Sequence, residues 1–370
     1  MRGKPIPSCI ESLEDRILLS AVSWTGVGDG KSWNNAQNWN TDTVPGASDD
    51  VTINLANSQT IVYSSAAGTT AIHSLNGSDP FSITGGSLTV TGNSTLTGSF
   101  SMTGGTLTAS GSGVTFTANG STTIAVSPEN VSLEADGGTL SLPQLAAVTS
   151  SDGGGQLTLG DSVNGGTIDL SSLATVDPSV DVQATAQSVG QILLSALTSL
   201  PTSSSVYAMG IGSEVDLSGI TVANGLGGLI SVESGATVAI NSSLTTLDGT
   251  NLTLDGTGDF PISQFTSLSN GYLAFLGGSY TLPALTDVDG SVLDVENGAS
   301  VSVPLLTSIA ATSEYGAAIQ AVGNGSVLDL PMLSSLSATF VTATNGGTID
   351  VNSGLTSMVD GGVTLDGTGS

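Results

Sequence analysis

The chain has 370 residues, of which 38% are hydrophobic and 4% aromatic, so its core must be built mainly from aliphatic side chains. Its 31 acidic residues outnumber 4 basic ones, and the formal net charge is −27. All basic residues lie at or before Lys31, and the rest of the chain has no Lys or Arg. This excludes nucleic acid as a partner and direct attraction to anionic lipid, because both depend on basic side chains.

Two further classes of feature are missing from the sequence. No run of about 18 apolar residues occurs, so we expect no transmembrane segment. Cys9 is the only cysteine, which rules out an intrachain disulfide framework and leaves the body without a thiol. We also expect no cofactor.

Residues 1–21 begin with Arg2 and Lys4, which would serve as the positive start of a secretory signal. Charged residues between positions 11 and 16 interrupt the apolar stretch that such a signal needs. By composition alone, the segment is a poor signal peptide or a short amphipathic helix.

The same segment carries a recognisable pattern, formed by Leu13, Glu14, Arg16, Leu18 and Leu19. It resembles the LEPR-XLL motif that opens many very large surface or extracellular proteins of planctomycete-like bacteria, with Asp15 where the motif has proline. The resemblance implies that residues 1–21 are an export-associated segment, cleaved near Ala21. It also implies an extracellular or cell-surface location.

Residues 22–62 contain every tryptophan of the chain, Trp24, Trp33 and Trp39, followed by a Val-Pro-Gly turn and Asp-Val-Thr-Ile. This arrangement resembles the opening segment of bacterial β-helical adhesins and autotransporter passengers. We interpret the segment as a cap or first coil, since tryptophans supply the area needed to cover an open apolar end. The alternative is a carbohydrate-binding module in which these rings stack on sugars.

Residues 63–370 are repetitive. An apolar–x–apolar pair recurs, and its second member, here called the anchor, is found at Leu142, Leu170, Leu194, Leu217, Ile240, Ile262, Leu282, Val303, Leu330 and Val351. The mean spacing of the anchors is about 23 residues, a period typical of stacked repeats.

Each period contains three short segments that alternate apolar and polar residues, as strands with one buried face do. This predicts an all-β fold, a parallel β-helix (β-solenoid) with three short strands per coil, and we expect a right-handed coil. Residues 81–126 use a shorter period and are interpreted as earlier coils of the same stack. Leucine-rich repeats share the period, but Gly-rich turns lie where that horseshoe would need a helix.

The stretch from position 241 returns at position 352, an offset of 111 residues that indicates duplication of a block. No polar cap follows it. We therefore expect a C-terminus that is uncapped, either because the chain is a fragment of a giant surface protein or because its open end contacts something else. End-to-end self-association is one such contact.

The sequence offers little catalytic chemistry. His73 is the only histidine, and no Ser/His/Asp arrangement is anchored near it. Some parallel β-helices are pectate lyases or polygalacturonases, but a fold does not carry an activity. The lyases need an Arg or Lys base, and neither occurs after Lys31. We expect no enzyme activity.

Aspartate recurs immediately before the anchor, at Asp169, Asp216, Asp329 and Asp350. Asp329 and Asp350 fall on successive coils, where adjacent strands place carboxylates about 5 Å apart. With no basic residue to relieve the repulsion, Ca²⁺ is the candidate ligand, because it prefers oxygen donors. The sequence lacks the nonapeptide of calcium-binding β-rolls and any EF-hand loop.

Together these features predict a secreted or surface-exposed β-helix that serves as a structural, adhesin-like scaffold. Its expected partners are cell-surface glycans or other surface proteins. The alternatives are the carbohydrate-binding module and a truncated fragment without independent function.

Overall fold

The computed structural model describes residues 19–56, 59–126, 129–161, 164–222, 224, 226, 228–351, 354–366 and 369–370. The chain is all-β, with 50% strand and 3% helix, and its coils stack in parallel to form a β-solenoid of about 14 turns. The predicted fold class is confirmed. Three short 3₁₀ helices lie among the described residues, at Ala36–Asn38, Ser65–Ala67 and Ile262–Gln264.

The strands, numbered in chain order, form three faces that run along the stack. The first face contains β1 (Ser20–Ser23), β2 (Asp49–Ile53), β5 (Ser74–Gly77), β7 (Ser94–Leu96), β9 (Thr115–Ala118), β12 (Thr139–Ser141), β15 (Thr167–Asp169), β18 (Gln191–Leu193), β20 (Glu214–Leu217), β22 (Thr237–Ile240), β27 (Ser279–Thr281), β29 (Ser300–Ser302), β32 (Val327–Asp329) and β35 (Thr348–Asp350).

The second face contains β3 (Ile61–Tyr63), β10 (Thr122–Val126), β13 (Ala147–Ser150), β16 (Thr175–Val176), β23 (Thr246–Asp248), β25 (Ser267–Ser269), β30 (Ser308–Ala310), β33 (Ser335–Ser337) and β36 (Ser357–Val359).

The third face contains β4 (Thr69–Ile72), β11 (Val131–Asp136), β14 (Gln156–Asp161), β17 (Asp181–Gln187), β19 (Ser205–Met209), β21 (Leu229–Glu233), β24 (Asn251–Leu254), β26 (Tyr272–Phe275), β28 (Val292–Glu296), β31 (Ala317–Val322), β34 (Thr339–Thr344) and β37 (Gly362–Leu365). Two long strands, β6 (Phe81–Val90) and β8 (Phe100–Ser110), cover the second and third faces in turn.

Each coil therefore supplies up to three strands, one to each face, as the repeat pattern predicted. Where two named strands pair, they pair in parallel, for example Leu140 of β12 beside Ile168 of β15. The leucine-rich horseshoe is wrong, because no α-helix occupies any coil in the described ranges. The sense of the coil stays a prediction.

The corner after the first face explains the recurring Leu-x-x-Leu spacing. At Leu142-Pro-Gln-Leu145, the N–H of Leu145 donates to the carbonyl of Leu142 at 3.0 Å, and both leucines are buried. Leu170 and Leu173 make the same bond at 2.9 Å. This is the hydrogen bond of a β-turn, whose second position favours the proline found in several copies. The spacing thus sets a corner between two faces.

The core is one continuous set of apolar ladders. On the first face, the inward ladder position of β7 holds the buried Ser94, and in the other strands from β2 to β22 it holds an apolar residue with no exposed surface: Val51, Leu75, Phe116, Leu140, Ile168, Ile192, Val215 and Val238. The anchors from Leu142 to Leu330 are buried as predicted, whereas Val351 in the last coil is partly exposed. Each buried aliphatic side chain contributes about 1.5–3 kcal/mol relative to exposure, so stability accumulates coil by coil.

The Trp-rich segment joins this stack directly. Val62 of β3 donates its N–H to the carbonyl of Lys31 at 2.8 Å, and Trp33 donates its N–H to the carbonyl of Val62 at 3.0 Å. The strand β3 itself crosses the predicted boundary between residues 62 and 63. Among the described residues, none of the helices has the length and apolarity needed to span a bilayer.

Candidate functional site

The tryptophan cluster lies under the first coil. Trp39 packs edge-on against Trp24 at 4.9 Å and against Trp33 at 4.7 Å between ring centroids. The three side chains are 4%, 0% and 1% exposed for Trp24, Trp33 and Trp39. A stacked sugar needs one open ring face, and none of these rings has one. Burial therefore argues against sugar stacking here and fits the capping interpretation.

The cluster continues into the body as a column of rings. Trp33 contacts Phe81 at 5.6 Å, Phe81 stacks on Phe100 at 6.3 Å, and Phe100 meets Phe116 at 5.8 Å. The indole N–H of Trp39 donates to the carbonyl of Trp33 at 2.8 Å. The aromatic residues thus connect the Trp-rich segment to three successive coils.

A group of hydrogen bonds around Asp29 holds the loop next to the tryptophan cluster. Asp29 Oδ1 accepts from the side-chain amide of Asn38 at 2.7 Å and from the N–H groups of Ser32 and Lys31 at 2.9 and 3.0 Å. These hydrogen bonds, led by that of Asn38, hold the pKa of Asp29 well below its ordinary value. Asn38 is itself fully buried. These hydrogen bonds stabilise the conformation of the loop.

His73 has one clear partner. Its Nδ1 lies 2.6 Å from Asp50 Oδ1, which also accepts from the hydroxyl of Ser74 at 2.6 Å. The hydrogen bond from His73 lowers the pKa of the Asp50 carboxyl. The hydroxyl of Ser74 is hydrogen-bonded to the carboxylate of Asp50 and not to the imidazole of His73. The imidazole is therefore not placed to act as a base on that hydroxyl.

The recurring aspartates have two roles. Asp169 and Asp216 accept the N–H of the residue two positions on, at 3.1 and 2.9 Å, which is the Asx-turn that shapes the corner. At Asp329 the corresponding position is Pro331, which has no N–H. Asp329 Oδ2 accepts instead from the hydroxyl of Ser302 at 2.9 Å.

Asp329 and Asp350 are directly paired neighbours on β32 and β35, as the spacing predicted. The described part of the chain contains no group of three or more His, Cys, Asp or Glu side chains able to hold a metal ion. Two carboxylates supply at most about four of the six to eight oxygens that Ca²⁺ takes. Calcium binding stays a prediction.

The residues of the targeting motif lie outside the described ranges, except Leu19, which is 47% exposed at the start of the described chain. At the opposite end, the last coil exposes core-facing apolar residues, including Val363 (57%) and Leu365 (58%). End-to-end self-association through this surface stays a prediction.

A groove on the third face was not foreseen from the sequence. It has a volume of about 420 Å³ and runs across strands β26, β28, β31 and β34 at the corner with the second face. Tyr272, Val292, Ala318 and Phe340 occupy one outward ladder position on these strands. Three strand spacings of about 4.8 Å place the two aromatic residues about 14 Å apart. Small residues between them form the floor.

Three exposed rings line this groove, which we call the aromatic groove. Tyr272 is 42% exposed, Tyr315 47% and Phe340 62%. Among the described residues, these are the aromatic members of the exposed large apolar side chains, and all of them lie in this one place.

The Tyr272 ring is held in position by a buried carboxylate. Its hydroxyl donates to Oδ2 of Asp294, which lies on the next strand and two residues along from Val292, the partner of Tyr272. The ring therefore lies across the outer surface of the sheet. Burial and the neighbouring carboxylate raise the pKa of Tyr272 above its ordinary value, so the hydroxyl keeps its proton.

The loop of residues 311–316 positions Tyr315. The loop has six residues between β30 and β31, whereas residues 270–271 alone connect β25 to β26. Thr312 donates its hydroxyl to Asn270 Oδ1 at 3.0 Å, two coils back along the stack, and its N–H to the carbonyl of Tyr315 at 2.8 Å. Gly290 makes this reach feasible, because a Cβ there would approach Asn270 Oδ1 to 2.3 Å.

Phe340 lies against a glycine. A Cβ at Gly362, its partner on β37, would sit 3.3 Å from the Phe340 ring. At the opposite end of the groove, Asn251 Oδ1 accepts the N–H of Tyr272 at 2.9 Å. The Tyr272 ring is thus held by the carboxylate of Asp294, and Tyr315 is positioned by its loop. The Phe340 ring lies beside Gly362, which has no side chain.

Comparisons with protein-family models, with curated proteins and with solved structures returned no match.

Proposed function

We propose that this protein is a secreted or cell-surface scaffold of the adhesin-like kind, which extends and presents a surface and catalyses no reaction. The observation that carries the proposal is the uninterrupted stack of about 14 turns around one core. At about 4.8 Å per coil, it forms a rod roughly 65 Å long. A rod in which each coil packs mainly on its neighbours is well suited to spanning distance.

The surface chemistry supports an exterior location. After Lys31 the chain carries acids and no Lys or Arg, so copies repel one another and stay solvated. The body has no thiol that an oxidising medium could modify. The LEPR-XLL-like segment of residues 1–21 supports the same location by resemblance.

The absence of a catalytic role is part of the proposal. Nδ1 of His73 is engaged by Asp50, and the aspartates before the anchors at Asp169 and Asp216 are engaged in turns. We therefore assign no residue a step in a reaction. Partners would be cell-surface glycans or other surface proteins.

The proposal is tested by antibody labelling of intact, unpermeabilised cells, with the culture medium probed in parallel. A cytosolic protein serves as the control for leakage. We expect signal on the cells or in the medium without the cytosolic marker. Signal that appears only after lysis would contradict the proposed location.

A further inference from the structure

We propose that the aromatic groove binds a neutral polysaccharide chain, with Tyr272, Tyr315 and Phe340 as the rings on which its sugars stack. The groove was described above from its geometry alone, and the buried tryptophans have no part in it. The proposal goes beyond the scaffold role and does not depend on where the protein is located.

The distribution of aromatic residues sets this groove apart from the rest of the described surface. Only 4% of the chain is aromatic, and the described rings of the cap and core are buried. Three large rings exposed side by side lose the stabilisation that burial would give them. Such an exposed apolar patch indicates a binding surface. The rings lie on three different coils, and hydrogen bonds hold Tyr272 and the loop of Tyr315 in place without a ligand.

The charges around the groove are negative. Asp294 lies beneath the Tyr272 ring, and Glu296 follows it on the same strand. No Lys or Arg occurs anywhere after Lys31. An anionic ligand would therefore meet repulsion without a single compensating cation. These charges exclude a polyanionic ligand.

The backbone pairing of the groove strands disfavours an extended peptide as the ligand. Strands β26, β28, β31 and β34 each have a parallel neighbour on both sides, so their backbone groups are already paired. A peptide could not add to this sheet as a further strand. A flat pyranose ring needs no backbone partner, because its C–H face packs on an aromatic ring and its hydroxyls face polar groups at the rim.

The polar rim is present at the Tyr272 end. Asn270 is engaged on both sides of its amide, by Asp248 at 2.7 Å and by Thr312 at 3.0 Å. Asn251 accepts from Tyr272 through Oδ1 and brings an amide NH₂ group to the same end of the groove. We assign Asn251 the hydrogen bond that orients a sugar over Tyr272.

The test is affinity electrophoresis of the purified full chain in gels that contain hydroxyethyl cellulose, galactomannan or laminarin, all neutral. Carboxymethyl cellulose is the matched anionic probe, because it shares the glucan backbone of hydroxyethyl cellulose. We expect at least one neutral polysaccharide to retard the protein and the anionic one to retard it less. Retardation by none of the neutral probes, or equal retardation by the matched pair, would overturn the proposal.

Variants locate the site. Tyr272→Ala and Phe340→Ala should each weaken binding about three- to tenfold, the equivalent of one lost ring contact. Tyr207→Ala is the control, since Tyr207 is a half-buried tyrosine on β19 of the same face, outside the groove. Circular dichroism confirms that each variant is folded. Binding that survives both groove variants, or that is lost equally in the control, would show that the sugar binds elsewhere.

A hydrophobic protein partner would give a different pattern. It would leave all the polysaccharide gels without retardation, which counts against the proposal. Because these measurements use purified protein, their failure says nothing about the cell-surface assignment, and failed surface labelling says nothing about the groove.

Discussion

Removing one ring from the aromatic column should detach the cap from the rest of the solenoid. Phe100 is 1% exposed and lies between Phe81 at 6.3 Å and Phe116 at 5.8 Å. Phe100→Ala creates a buried cavity and costs about 3–5 kcal/mol. Because each coil packs mainly on its neighbours, this loss falls on the coils that join the Trp-rich segment to the body.

The tryptophans make this loss measurable. All of them lie in the cap, so their fluorescence reports the cap, whereas circular dichroism reports every coil. With a urea slope of about 1–2 kcal/mol per M for a unit of this size, a loss of about 3–5 kcal/mol should lower the fluorescence midpoint of the variant by roughly 1.5–5 M. The midpoint by circular dichroism should fall less.

Leu293→Ala is the matched control. Leu293 is 1% exposed on β28, far along the stack, and its truncation costs about 2–5 kcal/mol. We expect it to lower the circular dichroism midpoint and to leave the tryptophan midpoint in place. If Phe100→Ala leaves the tryptophan midpoint at its wild-type value, the aromatic column does not hold the cap. If both variants shift both probes equally, the stack unfolds as one unit.

Three further predictions concern protons and ions. Hydrogen bonds lower the pKa of Asp29. The ionised carboxylate therefore contributes its full stabilisation above the ordinary pKa of 3.8, and this contribution is lost as the pH falls below that value. Asp29→Asn should remove this pH dependence from tryptophan-monitored melting. The pKa of Tyr272 is raised above its ordinary value of 10.0 by burial and by Asp294, so its contribution is complete below about pH 10 and is lost as the pH rises further; melting scans should show an alkaline loss of stability that Tyr272→Phe lacks. The calcium hypothesis predicts that millimolar CaCl₂ raises the melting temperature more than NaCl of equal ionic strength, and that Asp350→Asn abolishes the difference; equal melting temperatures in the two salts would reject it.

The fold was predictable because its signal repeats. Leu142, Leu170 and Leu194 occupy the same position in successive coils, and burial of one implies burial of the others. The corner turn was visible only as a spacing, since the Leu-x-x-Leu pattern also fits leucine-rich repeats. The hydrogen bond from Leu145 to Leu142 identifies it as a turn.

The aromatic groove could not be predicted in the same way, because it occurs once. Phe340 lies beside Val341 in an apolar stretch, and nothing local indicates which of the two faces outward. The ladder that joins Tyr272 to Phe340 passes through coils of unequal length, so its register cannot be counted from the mean period. Tyr315 reaches the groove only because Thr312 bonds to Asn270, forty-two residues away.

The tryptophans were conspicuous in the sequence, but their role could not be predicted from it. Their clustering in the sequence draws attention to residues 22–62, but clustering alone cannot distinguish a buried aromatic cluster from an exposed binding surface. The difference lies in the neighbours: Tyr63 and Phe81 come from later coils and pack against Trp33.

The six-residue loop at 311–316 has a consequence for how such a protein can change over generations. The strand after it, β31, keeps its register with β28 before and β34 after, and the strand before it, β30, keeps its register with β33 of the following coil. A corner loop can therefore be lengthened without changing the pairing of the strands next to it. A repetitive chain can in this way accept a new surface feature at one corner and keep every other coil unchanged, and duplication of whole blocks would copy the feature together with its support.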